Sequence, residues 1–60
     1  MTNGEFIQKC FPNRQIIEHS DFIELAWADG MDEFNTDWWF SPYQKQEMKT
    51  IMPYLYNYKE

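Results

Sequence analysis

Cysteine, glycine and basic residues are scarce in this chain, and each scarcity closes off a way of folding or acting. A single cysteine, Cys10, rules out an internal disulfide and fits a reducing compartment. Two glycines and three prolines leave no flexible linker or low-complexity stretch that would separate domains. No Lys or Arg falls between Gln15 and Gln44. That central segment has nothing to neutralise phosphate, which argues against direct nucleic-acid or anionic-membrane binding. No apolar run approaches the roughly 20 residues needed to span a bilayer. Met1 to Glu5 lack the basic and apolar regions of a signal peptide. The cytoplasm of a host cell, bacterial or infected by a virus, is the expected location.

Seven carboxylates occupy the same central segment: Glu18, Asp21, Glu24, Asp29, Asp32, Glu33 and Asp37. All three tryptophans lie there too, Trp27, Trp38 and Trp39. Solvated acidic tails are poor in aromatics, so the segment is expected to fold. Sixty residues make one domain, residues 1–60, burying only about 60% of the surface its unfolded chain exposes. Aromatic residues are 20% of the chain, and each can bury roughly 150–250 Å². Self-association into a homo-oligomer is the other expected source of burial.

Thr2 with Glu5 three residues on forms a capping box. Phe6, Ile7, Cys10 and Phe11 then recur at helical spacing until Pro12-Asn13, which predicts a helix from about Asn3 to Phe11 with Cys10 in the core. Residues 15–28 fit two patterns. Ile16-Ile17, Phe22-Ile23 and the alternation of Ile23, Leu25 and Trp27 predict strands over about 15–19 and 21–28. A helix beginning at Ser20 is the alternative. With strands, Glu18 and Glu24 are expected to share a sheet face. Asp29-Gly30 is a hairpin signal leading to a strand through Phe34, with Asp29, Asp32 and Glu33 clustered there. Asn35, or Thr36-Asp37, is placed to cap one turn carrying Trp38-Trp39. Ser41, Pro42 and Gln44 read as N-cap, first helical residue and capping-box partner of a helix to about Ile51. Pro53 should end or kink it. Tyr54, Tyr56 and Tyr58 alternate at a strand period, suited to pairing with a partner's sheet edge or with this domain's own sheet. The expected fold is an α+β mini-domain: an N-terminal helix, a small antiparallel sheet, a C-terminal helix and a Tyr-rich terminal segment.

Two segments resemble a known group. Thr2-Asn3-Gly4-Glu5-Phe6-Ile7-Gln8 with Phe11-Pro12-Asn13, and Phe34 with Asp37-Trp38-Trp39-Phe40-Ser41-Pro42-Tyr43, are similar to short proteins of Firmicutes and their prophages. These open with Thr-Asn-Gly-Asp/Glu and carry an acidic-Trp-Trp-x-x-Pro-Tyr motif. The chain departs from the group at Phe40, where an Asn is frequent, and continues well past Tyr43, where the others commonly stop. The resemblance implies a compact α+β module of mobile-element origin and carries no site residues.

No catalytic motif is present. His19 with Asp21 or Glu18 sits beside a turn and Cys10 on a helix face, and so small a chain has little volume for a water-excluding pocket. An enzyme is not expected. Asp29, Asp32, Glu33 and Asp37 have hard oxygen donors, but their spacing fails the EF-hand pattern. His19 and Cys10 are single, so neither metal nor cofactor is expected. What the pattern favours is a small acidic interaction protein encoded by a phage or prophage. It would inhibit a host protein of defence or nucleic-acid processing by binding its basic surface, as a DNA mimic does. The residues expected to contact the partner are Asp29, Asp32, Glu33, Asp37, Trp38, Trp39 and Phe40. Adjacent tryptophans cannot both face inward on a strand and lie about 100° apart on a helix, so one ring of the pair is expected to be partly exposed. The alternative is a homo-oligomeric structural protein that binds mainly itself.

Overall fold

Thr2 Oγ1 accepts from the Glu5 N–H at 3.1 Å, and Glu5 Oε1 accepts from the Thr2 N–H at 2.7 Å. This reciprocal cap starts α1, Asn3–Cys10, in a computed structural model that describes residues 1–56. α1 buries Asn3, Gly4 and Ile7. With Phe11 those positions share one side of the helix, leaving Cys10 on its margin and exposed rather than in the core.

The segment from Gln15 to Ala28 is extended, not helical. β1 (Ile16–Glu18), β2 (Phe22–Ala26) and β3 (Met31–Asn35) form an antiparallel sheet in the order β1-β2-β3. β-branched and aromatic residues at alternate positions favour this outcome, since Ile23 and Leu25 reach full burial on one side only. The first hairpin closes with the His19 N–H donating to the Phe22 carbonyl at 2.9 Å, the second with Trp27 N–H to Gly30 carbonyl at 2.8 Å. Among the described residues none has positive φ. The turn centres on Ala28-Asp29, between the paired Trp27 and Gly30, one residue before the expected Asp29-Gly30 and without the left-handed conformation that dipeptide favours.

Register sorts the side chains. Glu18 pairs with Ile23 and Ile23 with Phe34, whereas Ile17 pairs with Glu24 and Glu24 with Glu33. Directly opposed residues share a face, so Glu18 and Glu24 lie on opposite faces, contrary to the expectation from sequence. The same alternation separates Asp32 from Glu33, and the hairpin carboxylates do not form one cluster.

Asn35 Oδ1 accepts from the Trp38 N–H at 3.1 Å and caps α2, Thr36–Trp39. The helix expected from Ser41 begins later, as α3, Lys45–Tyr56. Ser41 to Tyr43 are held extended against the N-terminus instead. The Asn3 N–H donates to the Ser41 carbonyl and the Tyr43 N–H to the Met1 carbonyl, each at 2.9 Å, around a Thr2–Pro42 bridge. Pro53 does not end α3, which continues through Tyr56. Burial of Leu55 and packing of Ile51 and Met52 against the core hold the turn. Tyr54 and Tyr56 are therefore helical, not strand, and Tyr58 lies outside the described residues.

The buried core is Ile7, Ile23, Leu25, Trp27, Phe34, Trp39, Met48 and Leu55, and β1 adds the partly buried Ile16 packed against it. Together these elements make a small α+β domain, with its helices against one face of the sheet. Among the described residues no helix is long and apolar enough to cross a membrane.

Candidate interaction surface

The second sheet face carries Ile17, Phe22, Glu24, Ala26, Met31 and Glu33. Its apolar members are half-buried, yet Ile17, Phe22 and Met31 are not among the residues packed against the core. In the middle of this face Glu24 stands directly opposite Glu33. Hydrogen bonding in the ladder alternates. The Trp27–Gly30 bond makes Leu25–Asp32 and Ile23–Phe34 the hydrogen-bonded pairs, leaving Glu24–Glu33 a non-bonded pair, the type whose side chains approach closest. Like charges there destabilise the sheet. His19 Nε2 lies 2.8 Å from Glu24 Oε1, with its ring stacked on Phe22 at 4.3 Å. Glu33 is exposed and has no such partner among the described residues.

The residues expected to contact a partner fall in four places. Asp32, on the core side, accepts from Trp27 Nε1 at 2.6 Å and serves the fold. Trp39 is 3% exposed and lies against Gly4, so it is not an available anchor. Trp38 is half-buried, its ring stacked on Phe34 at 5.6 Å and its Nε1 donating to Glu47 Oε1 at 3.1 Å. Phe40, 53% exposed, is the ring that reaches solvent, next to Asp37 in the first turn of α2. Asp29 is exposed in the β2–β3 turn. The structure thus groups Asp37, Trp38 and Phe40 around α2, and Glu33 with Glu24 on the open face.

Sequence reasoning missed Glu24, Ile17, Phe22 and Met31 as surface residues. The Asp29-Gly30 signal does not give this register. Counted outward from that dipeptide Glu24 would face Asn35, whereas the chain turns one residue earlier, at Ala28-Asp29, and sets Glu24 opposite Glu33.

Two of the grooves that border the described residues adjoin α3. One of about 300 Å³ between α1 and α3 is lined by Phe6, Tyr43, Met48 and Met52 with Lys45 and Lys49. The other, about 450 Å³, runs between β3 and α3. Among the described residues no group of three or more His, Cys, Asp or Glu side chains could hold a metal ion. Comparison with family models, curated proteins and solved structures finds no match to this chain.

Proposed function

We propose that this protein is a binding module for a basic protein surface, engaged through the open sheet face and the neighbouring acidic turns. The opposed Glu24–Glu33 pair carries the reading. A fold that sets two carboxylates against each other among apolar side chains is stabilised when a cation from elsewhere sits between them. Ile17, Phe22 and Met31 supply apolar contact around that charge, and Asp29 and Asp37 extend the negative field that steers association. Phe40 is the exposed aromatic suited to anchor the edge of such an interface. In this reading the module inhibits a host protein that handles nucleic acid or acts in defence, occupying its basic groove, and its origin is a phage or prophage.

The test compares the native chain with a Glu24→Gln/Glu33→Gln variant in affinity capture from host lysate at low and high salt. A basic protein retained by the native chain at low salt, released at high salt and not retained by the variant is the expected result. Equal retention by both chains refutes the reading. The apolar residues of the open face also favour a second reading, self-association through that face. Thermal stability that rises with protein concentration is its mark.

A further inference from the structure

The groove beside β3 is lined by four consecutive strand residues, Asp32 to Asn35. Consecutive strand residues alternate between faces, so a groove touching all four runs along the strand's outer edge. That edge is open. The ladder turns the backbone groups of Asp32 and Phe34 toward β2, and therefore those of Met31 and Glu33 away from the sheet. Across the groove stand Ile51, Tyr54 and Leu55 of α3, with Trp38 at its side.

From this geometry we infer that β3 accepts an extended peptide strand in which basic and apolar residues alternate, hydrogen-bonded to Met31 and Glu33. The inference rests on the basic-partner reading above and specifies how the partner is held. A residue paired with Glu33 shares its face and meets the Glu24 and Glu33 carboxylates, so it is Lys or Arg. Its neighbours point to the other side, into a groove walled by Phe34, Trp38, Ile51 and Leu55, so they are apolar. A second copy of this chain is the poorer occupant. Antiparallel β3–β3 pairing centred on Glu33 would set another pair of carboxylates face to face.

The test is an NMR titration of the isotopically labelled chain with three synthetic peptides. One has the sequence Lys-Leu-Lys-Val-Lys, one replaces each Lys by Glu, and one is the basic peptide N-methylated at alternate residues. Expected are binding of the first peptide, none of the Glu peptide, and about tenfold or greater slowing of exchange at the Met31 and Glu33 amides. N-methylation should weaken binding by about tenfold or more, the equivalent of one or two backbone hydrogen bonds. Glu33→Lys should abolish binding while leaving the native spectrum of the core intact. If the N-methylated peptide binds as well as its parent and both are released by salt, edge pairing is overturned and charge-driven binding stands. If the basic peptide does not bind and lysate capture is salt-insensitive, both readings fall. Protection of the same two amides by self-association, without peptide, makes a second copy the occupant and overturns the inference.

Discussion

The Trp39 indole occupies the space where a side chain on Gly4 would lie: a Cβ added at Gly4 would stand 2.6 Å from Trp39 Cδ1, with other ring atoms closer still. Glycine in a helix normally costs about 1 kcal/mol relative to alanine. Here the sign reverses, because a rigid ring cannot yield without leaving the core. Gly4→Ala should destabilise the domain by about 1–3 kcal/mol, measured as a loss in urea midpoint. A Gly4→Ala/Trp39→Leu double variant should lose less than the sum of the single changes. Strict additivity would show that the two residues do not touch.

Asn3 is 1% exposed and bonds in two directions. Its Nδ2 donates to the Trp38 carbonyl at 2.8 Å, and its Oδ1 accepts from the Gln44 N–H at 3.4 Å. Asn3→Ala removes both bonds. The Trp38 carbonyl keeps the Ser41 N–H at 3.1 Å while the Gln44 N–H loses its acceptor, so the change should cost about 1–3 kcal/mol. A midpoint unchanged from the native chain would contradict the role given to this residue.

Asp32 separates charge from structure. Asp32→Asn keeps an oxygen acceptor for Trp27 Nε1, while Asp32→Ala removes it. The asparagine variant should stay within about 0.5 kcal/mol of native stability, and the alanine variant should lose about 1–3 kcal/mol. Calorimetry of the two side by side decides the matter, and equal losses would mean that the charge itself stabilises the fold.

How much of this was legible in the sequence depended on the range of the forces involved. The capping box at Thr2 and Glu5, the strand alternation and the one-turn helix carrying Trp38-Trp39 follow from residues within five positions of each other, and these were read correctly. The second hairpin turns at Ala28-Asp29, one residue before the Asp29-Gly30 signal. The second capping box at Ser41 was a local signal overridden from afar, because Asn3 and Met1 hold Ser41 to Tyr43 extended. Of the two outcomes expected at Pro53, an end to the helix does not occur, as packing of Leu55 outweighs one missing backbone donor. The acidic residues were found, but their grouping was not. Composition counts charges, whereas the pleat sends Asp32 and Glu33 to opposite faces.

Thr36 Oγ1 is buried and has no hydrogen-bond partner among the described residues. Replacing it by the near-isosteric valine removes an unsatisfied oxygen and keeps the volume. Thr36→Val should therefore stabilise the domain by about 1 kcal/mol. A lower melting temperature for this variant would show that the hydroxyl is satisfied in solution.

Pro53 leaves the Lys49 carbonyl in α3 without its helical donor. Pro53→Ala restores that bond and should raise both helix content by circular dichroism and melting temperature. The gain is at most about 3 kcal/mol, the full penalty of a proline inside a helix. Unchanged helix content would mean that the last turn of α3 is held entirely by side-chain packing.

The bonds that join Met1 and Asn3 to Trp38, Ser41, Tyr43 and Gln44 also govern how the chain finds its fold. Both hairpins close over a few residues and can form early, but the Asn3–Gln44 contact spans 41 positions. Loop-closure entropy must be met before that contact returns anything. A chain whose first residues wait for its forties belongs with domains that fold in about milliseconds, not the microseconds of purely local helical bundles. The kinetic bottleneck then lies at the strap joining the N-terminus to the entrance of α3, far from the sheet that faces a partner.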